Sequence, residues 1–239
     1  MIVKHWMILA SAVIAPLASA TTITFDDLDN GTRVDDEYLS TYGVTFDGVN
    51  VDRNKSNLAV VFDSTLDNTA DPDLESPFTN VNNPSLGVSN PGNILIIHEK
   101  PKSCDAFTCS NPDDEGSRPA GYFTIDFSES VILNSIDFFD VEYTETNTNT
   151  AIHLYDVNGL ELNIGEFFTP NTGGDNTWDR LYFDVADVSS IEINLYGSGA
   201  ISNIDFTAST TSVPEPTTLA VFAMGLMGLV GIRRQQRKG

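Results

Sequence analysis

Between residues 21 and 212 apolar and polar residues alternate with period two, and no stretch spaces its apolar residues three and four apart as a helix does. Val44 and Phe46 stand against Thr45 and Asp47; Phe123, Ile125 and Phe127 stand against Thr124 and Asp126. The pattern recurs at Ile23 and Phe25, at Leu181, Phe183 and Val185, and at Ile191, Ile193 and Leu195. In an extended chain successive side chains point to opposite faces, so each run reads as a strand with one buried face and one wet face. Apolar runs at 59–63, 93–98, 131–140 and 200–207 add further strands. Asn158-Gly159, between AIHLYDV and LELNIG, predicts a hairpin with a type I′ turn. The predicted fold is all-β, an antiparallel two-sheet β-sandwich of jelly-roll-like character. No repeat of the length used by solenoids or propellers is present.

The chain has 239 residues with 34 acidic side chains against 12 Lys and Arg, a net charge of -22. Only seven of those bases lie between residues 21 and 213, against all but one of the acids. Such a domain repels phosphate backbones, which excludes nucleic acid as a partner, and it calls for counterions.

Both ends of the chain read as address labels. Met1 to Ala20 has a basic start, the apolar run WMILASAVIAPLA and the small residues Ala18-Ser19-Ala20, the form of a secretory signal peptide removed by signal peptidase after Ala20. At the other end, Thr217 to Ile232 carries no charge and would span about 24 Å as a helix at about 1.5 Å per residue. That is slightly short of a hydrocarbon core of about 30 Å. Arg233, Arg234, Arg237 and Lys238 follow at once and predict a cytoplasmic tail, 233–239, behind a transmembrane helix at about 217–232.

Val213-Pro214-Glu215-Pro216, a glycine-punctuated apolar run (Gly225, Gly228, Gly231) and Arg233-Arg234, in that order, resemble the PEP-CTERM sorting signal, a tail also catalogued as the ice-binding protein C-terminal domain. The resemblance covers residues 213–239. It implies a Gram-negative, exopolysaccharide-producing host in which an exosortase recognises the tail. The protein would be held by the helix before processing and then pass to the cell envelope or extracellular matrix. The expected organisation is thus a signal peptide at 1–20, a β-sandwich domain at 21–212 and a sorting signal at 213–239.

The Asn-, Asp-, Pro- and Ser-rich stretch from about 64 to 92 predicts a long loop, a kind usually functional or held by something. Asp63, Asp67, Asp71, Asp73 and Glu75 crowd its start with no base among them, and Asp113-Asp114-Glu115 forms a second acidic run. Calcium takes carboxylate, amide and carbonyl oxygens, so Asp63, Asp71, Asp73, Glu99, Asp113, Asp114 and Glu115 are candidate calcium ligands; the other reading is a solvated acidic surface. The spacing is not that of an EF-hand. The segments VFDSTLDNTADPDL, GNILIIHEK and SGAISNIDF resemble a group of bacterial exported sandwich domains, which usually carry Asp where this chain has Ser202. Asp26, Asp27 and Asp205 occupy places where jelly-roll carbohydrate-binding modules often hold a structural calcium.

Cys104 and Cys109 are expected to pair as a disulfide in an exported protein. His98 and His153 remain after signal removal and have no GxSxG companion, so no hydrolase triad is expected. Trp178 and Tyr182 are the candidate carbohydrate contacts, the alternative being a Trp that caps an edge of the sandwich. Thr144, Thr146, Thr148 and Thr150 form a single threonine rank, too few for an ice-binding surface. The expectation is a non-enzymatic exported protein with a structural or adhesive role linked to exopolysaccharide. A carbohydrate-binding module, and then an extracellular polysaccharide-acting enzyme, are the alternatives.

Overall fold

The computed structural model describes residues 19–142, 151–162 and 167–209. The chain divides into two compact units, Met1–Ser209 and Thr210–Gly239. The second unit lies outside the described residues, and with it the expected sorting signal and membrane helix; so do residues 1–18 of the signal peptide and the threonine rank. Among the described residues no helix is long and apolar enough to cross a membrane.

The described chain is mostly antiparallel strand: β1 (Ala20–Ile23), β2 (Val44–Asn50), β3 (Ala59–Asp63), β4 (Phe78–Thr79), β5 (Val88–Ser89), β6 (Asn93–Ile97), β7 (Gly121–Phe139), β8 (Ala151–Tyr155), β9 (Phe167–Phe168), β10 (Trp178–Leu195) and β11 (Ala200–Ala208). One short helix, α1 (Leu39–Tyr42), precedes β2. The alternation predicts two separate sheets, but hydrogen bonding joins nine strands into one, in the order β3-β6-β11-β7-β10-β8-β9, with β1 on β11 and β2 on β7.

Strand length explains the difference. β7 has 19 residues and β10 has 18; β7 exchanges β2 for β11 midway, while β10 stays on β7 throughout and gains β8 in its second half. Residues 121–127 of β7 lie between β2 and the second half of β10, whereas residues 131–139 lie between β11 and the first half of β10. At the change the β10 register slips between Tyr182 and Ser190, where Asp184 and Asp187 adopt left-handed backbone. Bulges of this kind bend a strand and increase its twist. The two halves then share one core: Phe46, Phe123, Ile125, Ile191 and Ile193 pack in the same cluster as Leu95, Leu133, Phe138, Ile204 and Phe206. Gly48 lets β2 pass close to β3, since a Cβ there would lie 2.4 Å from the Ala59 nitrogen.

The half containing β3, β6 and β11 is buried on its other face too. Val60, Phe62, Ile94, Ile96, Phe139, Trp178 and Ala200 form a second cluster with Leu74 and Phe78, which come from the 64–92 segment. This is why AVVF and NILII are unbroken apolar runs: burial on both faces removes the need to alternate. The predicted long loop is therefore a cover, and it contains a 3-10 turn (Pro72–Leu74) and the two-stranded β4–β5 ribbon.

Two local predictions change. β1 stops at Ile23, and Phe25 is buried in left-handed backbone (φ 62°) instead of continuing the strand. The hairpin at Asn158-Gly159 forms, but only Gly159 has positive φ, and its N–H donates to the Asp156 carbonyl at 2.9 Å. That is an Asp156–Gly159 turn with a left-handed glycine at its end, not a type I′ pair. Asp156 Oδ1 accepts from the N–H groups of Asn158 and Leu160, which fixes this turn.

Candidate functional site

At one end of the sheet β6 and β7 finish while β10 and β11 begin, since Phe139 pairs with Trp178 on one side and Ala200 on the other. Three loops converge there. Asp71 stands immediately before the 3-10 turn of the cover, positioned by Pro72 at the first turn residue and by the Thr69 hydroxyl, which accepts from the Asp71 N–H. Asp113 and Asp114 follow the disulfide loop and pair with the end of β6 through the His98–Asp114 bridge. Carboxylate oxygens of Asp71, Asp113 and Asp114 lie within 4.8 Å of one another.

Asp140, just past the end of β7, lies outside that group of three but near enough to act electrostatically on Asp114 and to feel Asp71. Its backbone is left-handed (φ 56°), its N–H donates to the Thr177 carbonyl at 3.0 Å, and its side chain is 3% exposed. Asp140 Oδ2 accepts from the Ser198 hydroxyl at 3.3 Å, while Asp140 Oδ1 is buried with no hydrogen-bond partner. The next residue, Gly199, donates its N–H to Asp114 Oδ2 at 2.6 Å. The β10–β11 turn thus holds two of the four carboxylates from behind.

Electrostatics records the crowding. Burial raises the Asp114 carboxyl well above its ordinary range, and the neighbouring Asp71 and Asp140 push in the same direction. Asp71 is also raised, by burial first and then by Asp113 and Asp73, against a hydrogen bond with Asp114. Asp140 is pushed up to about 8 by burial and by Asp71, Asp73 and Asp175. Like charges packed in low dielectric disfavour ionisation, so without a cation the Asp71, Asp114 and Asp140 carboxylates ionise only at a cost.

The remaining predicted ligands do not converge. Asp63 Oδ1 accepts from the N–H and hydroxyl of Thr65, closing a local turn. Glu99 pairs with Lys100, which also pairs with Asp113 and neutralises part of the site's rim. Glu115 is buried but engaged, accepting from Asn50 Nδ2 at 2.6 Å and from the Ser117 N–H. Asp73 lies at the margin, where burial, Asp175 and Glu142 raise its carboxyl. Asp26 and Asp27 accept from the Asn93 N–H and the Tyr38 hydroxyl, and Asp205 from Asn134 Nδ2. Ser202 is buried and donates to the Asn93 carbonyl.

Cys104 and Cys109 form the expected disulfide and close the loop that leads into Asp113. His98 is buried, and burial lowers its pKa so that the ring is neutral. Its Nε2 lies 2.8 Å from Ser103 Oγ, but that hydroxyl also donates to the Lys100 carbonyl. The ring acts as a brace between the two loops. His153 is an outer strand residue paired with Glu161.

The proposed sugar platform is corrected at one of its two residues. Trp178 is 5% exposed, stacked on Phe139, and donates from Nε1 to the Gly87 carbonyl of the cover at 3.2 Å. It offers no face to solvent because the 64–92 segment lies over it. Tyr182 is 56% exposed and remains accessible. Beside the carboxylates a cleft of about 350 Å³ is lined by residues 66–70 together with Asn30, Phe62, Asn111 and Pro112.

The sequence matches no curated protein. Among solved structures the chain is similar to a Streptococcus pneumoniae fucose binding module, at 17% identity and a TM-score of 0.25, over 40% of this chain and 67% of that one. It is also similar to the family 32 CBM from C. perfringens NanJ in complex with galactose, at 20% identity and a TM-score of 0.26, over 41% and 73% of the two chains. A third is the C-terminal domain of a chitobiase from Bacteroides fragilis, at 11% identity and a TM-score of 0.27, over 37% and 65%. At the C-terminus, residues 212–235 match the PEP-CTERM protein-sorting motif, so the chain carries the tail that its PEP tripeptide, apolar run and arginines spell out.

Proposed function

We propose that this protein is exported, presented by its C-terminal tail to an exosortase, and delivered to the surface or extracellular matrix of a Gram-negative cell. There its β-domain serves without catalysis as a structural or adhesive module associated with exopolysaccharide, its acidic loops held by calcium. The observation that carries the reading is the sorting motif at 212–235. The Cys104–Cys109 disulfide fits an oxidising destination. The doubled-over sheet with a shared core fits a jelly-roll-like sandwich, a shape that leaves loops clustered at its ends for contact.

The test is fractionation of an exosortase-bearing host expressing the chain with Pro214 and Glu215 replaced by Ala. Retention of the variant in the inner membrane, with the parent reaching the surface, is expected. Identical distribution of the two would reduce the tail to a plain anchor. Breakdown of a polysaccharide by the purified protein would overturn the non-catalytic reading.

A second reading, a carbohydrate-binding module, draws on the cleft beside the carboxylates. The side chains of Asp67, Asn68 and Asn111 in its lining have no hydrogen-bond partner among the described residues, and Leu66, Ala70 and Pro112 line it beside them. Planar amides and carboxylates above a small apolar surface suit the hydroxyls and C–H face of a sugar. A glycan array with and without calcium tests it: retention lost in Asn68→Ala with Asn111→Ala at unchanged melting temperature supports the cleft, and no retained glycan rejects it.

A further inference from the structure

We propose that Asp71, Asp113, Asp114 and Asp140 form a calcium cage, that Asp140 is the ligand that completes it, and that the ion is the clasp fastening the 64–92 cover to the end of the sheet. This deepens the calcium element of the reading above and does not depend on sorting.

Two independent observations carry it. The first is convergence: three carboxylates from two loops approach within 4.8 Å. The second is the buried Asp140 Oδ1, which has no partner although burial at 3% exposure denies it water. An oxygen left in that condition is costly, and more so when charged, unless something occupies the position it faces. A cation does so.

The way the carboxylates are held suits a ligand set. Asp113 Oδ2 is tied to Lys100, Asp114 Oδ2 to the Gly199 N–H, and Asp140 Oδ2 to the Ser198 hydroxyl. In each case a protein donor fixes the orientation of the group, the arrangement that tunes metal sites, and Asp140 keeps its Oδ1 without a partner. All donors are oxygen. The nearby sulfurs are joined in the disulfide, and both His98 nitrogens are engaged with Ser103 and Asp113. A hard cation is therefore selected, and several carboxylates on separate segments suit calcium better than magnesium, which demands a near-ideal octahedron and keeps its waters.

The site also has a mechanical logic. Asp71 belongs to the cover, and Asp114 and Asp140 belong to segments fixed to β6 and β7. Without an ion these groups repel, so the same residues that should hold the cover would loosen it. With the ion in place, a loop already held by Leu74 and Phe78, by Trp178 Nε1 on the Gly87 carbonyl and by the Asn176 side chain, which donates to the Pro72 and Glu75 carbonyls, acquires a further fastening.

The experiment is calorimetric titration of calcium chloride, with magnesium chloride as control, into the chelator-stripped full chain in non-ionic detergent, followed by melting with and without calcium. Calcium should bind more tightly than magnesium and slow proteolysis within 64–92. Asp140→Asn should weaken calcium at least tenfold yet raise the melting temperature in chelator, because it removes a carboxyl whose ionisation is disfavoured there without removing volume. Asp63→Asn, outside the cage, should change neither. Calcium binding of unchanged affinity in Asp140→Asn would overturn the cage while leaving calcium elsewhere on the loops. A lower melting temperature of Asp140→Asn in chelator would show a purely structural carboxylate and overturn it as well. Absence of both binding heat and any calcium-dependent melting shift would overturn the cage and the calcium reading together.

Discussion

Asp140 is the residue on which the acidic end of the molecule turns, and its protonation gives a signed prediction. Its folded pKa of about 8 lies above its ordinary value of 3.8, so between those values the folded chain holds a proton that the unfolded chain has released. In chelator the stabilisation from this group should be fully present below pH 3.8 and lost as pH rises through about 8. Melting followed from pH 6 to 9 in chelator checks the sign, and Asp140→Asn should flatten that slope. A melting temperature rising over the same interval would contradict it. Trp178 gives a second prediction: because its ring is buried between Phe139 and the cover, Trp178→Ala should cost about 3–5 kcal/mol, read as a lower denaturation midpoint. Neither position was fully legible from sequence. Asp71, Asp113 and Asp114 announce themselves by acidic crowding, whereas Asp140 follows an alternating strand and reads as an outward carboxylate. The available signal was the break in alternation at Phe138-Phe139-Asp140-Val141, which marks burial on both sides. Trp178 depends on a segment about ninety residues away, which no local pattern reveals.

Among the elements, the 64–92 cover differs most from its sequence appearance. Its polar composition correctly predicts little regular structure, but Leu74 and Phe78 are buried completely against a sheet face that the cover closes. Phe78 meets Phe139 edge-on, with centroids 4.8 Å apart. Phe78→Ala should therefore cost about 3–5 kcal/mol and open the cover, seen as faster proteolysis within 64–92. Equal proteolysis rates in parent and variant would mean that the plug does not hold the segment. The strands themselves were legible wherever one face is wet, as in β2 and the first half of β7, because period-two patterning is a direct image of half burial. The joining of two layers into one sheet was not, because a bulged strand of 18 residues looks like two strands separated by a turn.

At the scale of the whole molecule, the sorting tail and the β-domain make separate predictions about the mature protein. Mass spectrometry of the cell-associated form should find neither residues 1–20 nor the basic tail, and recovery of Arg233 to Lys238 on surface-released protein would refute processing. The tail was the most legible part of the chain because its recognition rests on a contiguous string of residues, whereas the acidic site is assembled from positions 71, 113, 114 and 140, whose proximity is created by folding. β11 connects these two regions. It begins one residue after Gly199, whose N–H holds Asp114, and ends at Ala208, just before the chain leaves for its tail. Along its nine residues it is hydrogen-bonded to β7 on one side and to β6 and β1 on the other. A pull applied between the acidic loops and the C-terminus would run lengthwise down this one strand, loading its ladders in shear, so that many bonds must yield together instead of opening one after another like a zip. A domain pulled at its end and gripped at its loops is, in this geometry, strung along a strand bonded on both sides.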